Sequence, residues 1–190
     1  MANYGASNPY FALIDTEPEN GLPTYKQGVK LAKLISSSDN PTFTTGVLYA
    51  DDGKAEEVEE FVSATINVSL DDVSIENKAR VFGAKVANDN ELEYKSTDVA
   101  PYGGYAHYVR KMKGNKTRFL GIFYPKVKAT QGGVTYNTKG ESITFAPDAV
   151  TFSASETASY TWKVEVELET EAEALAWVKN KLNITDAAGA

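Results

Sequence analysis

One histidine, no cysteine and a run of carboxylates make up the obvious chemistry of this chain. His107 lies in Gly104-Tyr105-Ala106-His107-Tyr108-Val109. A thiol nucleophile would need a cysteine beside it, and a metal site would need a second histidine or a cysteine. With neither present, His107 reads as a packing or surface residue of an alternating strand. The carboxylates gather at Asp51, Asp52, Glu56, Glu57, Glu59 and Glu60. Calcium loops place oxygen ligands at set spacings around a glycine turn, and Asp51-Asp52-Gly53 lacks the rest of that pattern. Any two acids could form a glycosidase pair, so that signal is unspecific. A solvated hairpin tip is the plain reading, and an acidic strip facing an aqueous channel is the preferred one. Gly103-Gly104 and Gly132-Gly133 are followed by strand-like sequence rather than a helix, which argues against a phosphate loop. We expect no metal, no cofactor and no enzyme activity.

The charge pattern points the same way. Arg110, Lys111, Lys113 and Lys116 crowd a turn. They read either as a solvated turn or as an interface that meets acidic residues on a neighbouring copy. The net charge of -7 is wrong for gripping nucleic acid, which needs clustered cations. A like-charged wall would repel phosphates and leave DNA mobile. The start, Met-Ala-Asn-Tyr-Gly, has no basic region followed by an apolar run, and no segment reaches the length of a membrane span. A chain made in the cytoplasm is expected, and the missing cysteines suit a reducing compartment.

Period-two alternation dominates the elements that must carry these residues. Val62, Ala64, Ile66, Val68 and Leu70 alternate with Ser63, Thr65, Asn67 and Ser69. Trp162, Val164, Val166 and Leu168 alternate with Lys163, Glu165 and Glu167. Residues 105–112 and 118–124 form two further strands, joined at Gly114-Asn115. Residues 46–50 run through the Asp51-Asp52-Gly53 turn into a strand ending near Leu70. That makes a hairpin longer than a small monomer usually carries, with exposed edges. The 11 Tyr, 8 Phe and 2 Trp fall mostly at strand spacing, which makes them core or interface residues rather than a stacking platform. One helix is expected after Asp71-Asp72, with Ile75, Ala79 and Phe82 on one face and Gly83 as its stop. A second opens on the capping box Thr170-Glu171-Ala172-Glu173 and runs through Leu175, Trp177 and Val178 to Leu182. Loops are expected at 20–23, 36–41, 88–90, 100–104 and 131–133. The fold class is mainly β, a β-sandwich or partial barrel with one packed α-helix, a long projecting hairpin and a C-terminal helix. We expect a single domain over 1–184, with the assembly hairpin at 46–70 and a flexible tail at 185–190.

Four stretches bear a family likeness. They are Tyr4-Gly5 with Tyr10-Phe11-Ala12; Leu48-Tyr49-Ala50-Asp51-Asp52 and the acidic strand after it; Tyr108-Val109-Arg110-Lys111 leading to Arg118-Phe119; and residues 137–145, Asn-Thr-Lys-Gly-Glu-Ser-Ile-Thr-Phe, with 162–168 beyond. Together they resemble the major tail proteins, or tail tube proteins, of siphophages infecting Gram-positive bacteria. The resemblance implies the tail tube fold and a structural virion protein of the phage tail. It implies self-assembly into stacked rings, usually hexameric, whose hairpins join into one barrel around a lumen. Double-stranded DNA would pass through that lumen without specific binding. The implied partners are the tape-measure protein, the tail terminator and the distal tail protein, with no membrane. Assembly would take place in the host cytoplasm. The C-terminus departs from the family, which often varies there or adds a domain.

Within this picture Asp51, Asp52 and Gly53 form the hairpin tip and an inter-subunit contact. Parity puts Glu57 and Glu59 on the lumen face with Ser63, Thr65 and Asn67, although Phe61 shares it. A bulge between Glu60 and Val62 would put Glu56 and Glu60 there instead. Rival readings are a tail terminator, a baseplate hub, the tube of a phage-derived particle, a β-rich hydrolase using two hairpin carboxylates, and a carbohydrate-binding module.

Overall fold

A strand buried on one side alternates apolar and polar residues, and the longest such run becomes the spine of the molecule. A computed structural model describes residues 2–50, 53–88, 90–114, 116–131, 138 and 146–185. Its strands are β1 (Ala2–Thr16), β2 (Thr24–Lys30), β3 (Leu34–Ala50), β4 (Gly53–Leu70), β5 (Lys85–Asn88), β6 (Glu91–Glu93), β7 (Tyr102–Lys113), β8 (Lys116–Thr130), β9 (Asp148–Ala154) and β10 (Val164–Leu168). The helices are α1 (Ile75–Phe82) and α2 (Glu171–Lys181). The main sheet is antiparallel, in the order β2-β1-β7-β8-β9-β4-β3, with β10 also paired to β8. Strands β5 and β6 form a separate small hairpin.

Strand β8 forks the sheet. Residues 119–123 pair with β10, while residues 127–130 pair with β9. Pro125 sits between the two, where a residue without an N–H interrupts the ladder at no cost to either branch. The branches fold over one another as the layers of a sandwich. Phe11 of β1 stacks on Phe152 of β9 at 5.7 Å, and Tyr105 of β7 stacks on Phe152 at 5.0 Å. Ile66, Val68, Leu70, Val127 and Val81 of α1 complete this core. The fold is therefore a mainly β sandwich, and the described strands do not close into a barrel.

The second core lies on the opposite face of β1, β7 and β8, where α2 lays Ala174, Val178 and Leu182 against Tyr10, Ala106, Tyr108 and Phe123. Its start is the expected capping box, with Thr170 accepting from Glu173 N and the Glu173 carboxylate accepting from Thr170 N. Gly121 makes room for the Trp177 ring, since a Cβ there would lie 2.7 Å from it. After the helix, Asn183 Oδ1 accepts a bond from Tyr25 N at 2.8 Å, so this segment covers part of the β2 edge. Helix α1 starts at Ser74, whose Oγ accepts from Asn77 N, and stops at Gly83 with φ of 71°. Its most buried residue is Val81, while Ile75, Ala79 and Phe82 are half-buried.

Several sequence expectations are corrected. Residues 36–41 are not a loop but part of β3, an edge strand that tolerates Pro41. Residues 102–104 already belong to β7. Strands β1, β2 and β9 add to the strands expected from the sequence. Positive φ at Gly5 (67°) and Asn8 (54°) goes with register shifts in β1 that break its alternation. The hairpin is longer than 46–70 because its first arm, β3, already starts at Leu34, while its second arm ends at Leu70 as expected.

Replacing Gly121 with Ala should push Trp177 off β8 and destabilise the chain by about 1–3 kcal/mol, read as a lower urea midpoint. An unchanged midpoint would contradict this packing of α2.

Candidate assembly surface

With Ala64, Ile66, Val68 and Leu70 of β4 in the core, the alternate residues face outward. Across the β3–β4 ladder, Ser36 lies opposite Ser69, Ser38 opposite Asn67, Asn40 opposite Thr65 and Thr42 opposite Ser63. On the other side of β4, Thr65 lies opposite Ser153 and Asn67 opposite Thr151. Thr151 Oγ1 donates to Asn67 Oδ1 at 3.2 Å. Three adjacent strands thus present a face of short hydroxyl and amide side chains. The β4 half was legible from alternation. The β3 half carries no such signal, because residues 36–40 are polar at every position and Ser, Asn and Pro are turn-forming residues.

The acidic residues are distributed differently from the parity expectation. The ladder pairs Thr42 with Ser63 and then Phe43 with Phe61, leaving Val62 as a bulge. Phe61 turns inward, stacked on Trp162 at 4.7 Å and edge-on to Phe43 at 5.9 Å. Beyond the bulge, Glu57 and Glu59 follow the Phe61 side, opposite Val47 and Thr45. Glu56 and Glu60 follow the side of Ser63, Thr65 and Asn67. The grouping of Glu57 and Glu59 with that polar face is therefore corrected: the bulge switches parity, and Phe61 was the signal for it.

Strand β9 pairs with β4 only at residues 64–70. Residues 43–50 and 53–61 form a two-stranded ribbon with no third described strand on either edge. At roughly 3.3 Å per residue it reaches some 26 Å beyond the sandwich. Its apolar side chains are open to solvent: Phe43 is 49%, Leu48 59%, Val58 56% and the bulge residue Val62 55% exposed. Glu56, Glu57, Glu59 and Glu60 are exposed as well, with Lys54 paired to Glu57. Asp51 and Asp52 lie outside the described residues, and Gly53 opens β4 opposite Ala50.

The basic turn is not one free patch. Arg110 Nη2 donates to Glu171 Oε2 at 2.9 Å, and Tyr108 Oη donates to Glu171 Oε1 at 2.7 Å, tying β7 to the start of α2. These two bonds hold the Glu171 carboxyl below its ordinary range. Arg110 is thus engaged within the subunit. Lys111 is half-buried and Lys116 exposed. The side chain of Lys113, like Asn115, lies outside the described residues.

His107 is 3% exposed and faces the core side of β7 beside Tyr105. Asp39 and Lys163 are its charged neighbours, and they bond each other at 2.6 Å. Its Nδ1 has no hydrogen-bond partner. Burial pulls its pKa down to about 4, with Asp39 opposing and Lys163 assisting. No group of three or more His, Asp or Glu among the described residues could hold a metal ion, and no described helix is long and apolar enough to cross a membrane.

A histidine titrating near 6.5 when unfolded and about 4 when folded lends stability that is fully present above pH 6.5 and is lost as pH falls toward 4. The size is roughly 3 kcal/mol, at 1.36 kcal/mol per unit. Urea midpoints should therefore fall between pH 7 and pH 4.5 for the natural chain. His107→Leu should flatten that slope. An equal slope in both proteins would contradict a neutral, buried His107.

No protein-family model matches this chain, and no curated protein matches it.

Proposed function

We propose that this chain is the repeating subunit of a protein tube: the tail tube protein of a long-tailed phage, assembled in rings, six copies to a ring, that stack around a DNA-conducting lumen. The ribbon of β3 and β4 carries this reading. An isolated two-stranded hairpin is marginal in water, and open edges with exposed apolar side chains invite pairing with another chain. Pairing with a neighbouring copy would complete the ribbon on both edges, and a heterologous contact of that kind propagates into rings and filaments. The hydroxyl and amide face of β3, β4 and β9 supports the lumen. Its described side chains, Ser, Thr and Asn, include no cation to hold a phosphate and no ring to stack on a base, and the net charge of -7 repels a passing duplex. The tape-measure protein, terminator and distal tail protein are the partners such a tube requires, as length gauge and ends.

Magnitudes fit conditional assembly. Burying a half-exposed Val, Leu or Phe contributes on the order of 1 kcal/mol, so the four side chains of one ribbon supply about 4 kcal/mol. Loss of translational and rotational freedom costs roughly 4–15 kcal/mol. A single contact is weak, and stable polymer requires each subunit to make several.

Replacing residues 43–61 with an Asn-Gly turn should leave a folded but less stable chain, since Phe61 no longer stacks on Trp162. In sedimentation velocity it should remain monomeric at concentrations where the full chain polymerises. Polymer formed equally well by the shortened chain would sink the proposal.

A further inference from the structure

A ribbon that reaches some 26 Å at roughly 3.3 Å per residue misplaces its tip by several ångströms for a small error at its base. One cluster of contacts joins that base to the opposite layer. Asp39 lies on β3 opposite Ile66 of β4, inside the sandwich and four residues before the ribbon starts at Phe43, and its Oδ2 accepts from Lys163 Nζ at 2.6 Å. Lys163 Nζ also lies 2.7 Å from Glu165 Oε1 of β10. The ammonium sits 5.7 Å from the Tyr124 ring centroid and 5.8 Å from that of Trp162. Its side chain is only 19% exposed, far less than that of a free surface lysine. Immediately beside it, Trp162 stacks on Phe61 of β4 with an interplanar angle of 11°. Strand β10 pairs with β8 and not with either arm of the ribbon. Among the described residues these contacts, together with the hydrogen bond between Tyr124 of β8 and Asp39, tie the foot of the ribbon to the body beyond its own ladder.

We propose that Lys163 and Trp162 form a latch that sets the angle of the ribbon in the free subunit, so that it is aimed before a neighbour binds. Lys163 is a positioning residue: it ties Asp39, on the stretch of β3 that leads into one arm, to Glu165 on the body, while Trp162 clamps Phe61 at the base of the other arm. The two ties act on different strands of the ribbon, so together they resist both swing and roll. The ordering entropy of the ribbon base is then lost during folding rather than during association, which favours binding. The use of this aim in assembly rests on the tube reading; the latch itself is a property of the monomer.

The chain has no cysteine, so Thr45→Cys on the ribbon and Ala172→Cys on α2 accept spin labels uniquely. Pulsed dipolar spectroscopy on the dilute, full-length monomer reads the distance between them. The natural latch should give one narrow distribution. Lys163→Met, which keeps the aliphatic stem, should broaden it at least twofold, and Lys163→Arg should restore the narrow form. Trp162→Leu should broaden it by the independent tie, and it serves if Lys163→Met does not fold. A narrow distribution in every folded variant would overturn the latch, whether or not the protein forms tubes. If the latch holds, Lys163→Met should also raise the concentration at which polymer appears about tenfold. Polymer onset unmoved by a broadened ribbon would overturn the aiming role alone.

Discussion

Every β-strand has two edges of backbone donors and acceptors, and each must be paired, covered or left to water. This constraint organises the molecule. The β2 edge is partly covered by the segment after α2, where Asn183 accepts from Tyr25 N. The other edge of the sheet, the outer side of β3, is hydrogen-bonded to no described strand, and the outer half of β3 leaves the sandwich with β4 alone. A chain that blunts one edge and extends the other is asymmetric in the sense that head-to-tail assembly needs. The sandwich, the fork at β8 and the helix on the far side hold that ribbon out from a rigid body.

The side chains along the same strands divide the surface by chemistry. Toward the core, β4 buries Ala64, Ile66, Val68 and Leu70, and toward solvent it shows Ser, Thr and Asn with matching residues on β3 and β9. The polar cluster of Asp39, Lys163 and Glu165 sits near the foot of the ribbon. Burial works against charge on Asp39, yet the bonds from Lys163 and Tyr124 hold its carboxyl below the ordinary range. Lys163 is likewise raised, because its bonds to Asp39 and Glu165 outweigh the burial penalty. The cations of the 110–118 region are partly spent within the subunit, Arg110 on Glu171 and Arg118 on Glu169.

Local chemistry was legible from the sequence and long-range geometry was not. The capping box at Thr170, the stop at Gly83 and the alternation from Val62 to Leu70 each depend on residues within a few positions, and each appears as read except at Val62, which the bulge turns out to solvent. The mainly β sandwich with packed helices followed from them. Strand β1 escaped because the bends at Gly5 and Asn8 erase its period, and residues 36–41 escaped because edge strands tolerate turn-forming residues. The bulge at Val62 was undecidable from parity alone, although an aromatic on the polar register was its trace. The pairing of Arg110 with Glu171 and of Asp39 with Lys163 joins residues far apart in the chain, and no spacing rule announces such contacts.

The central claim is that the open ribbon exists to be completed by other copies of the same chain. Electron microscopy of the purified, concentrated protein tests it most directly. The account predicts long filaments of uniform width with a central channel and a broad distribution of lengths. Particles that stop at single rings, or a protein that stays monomeric at every concentration reached, would contradict it.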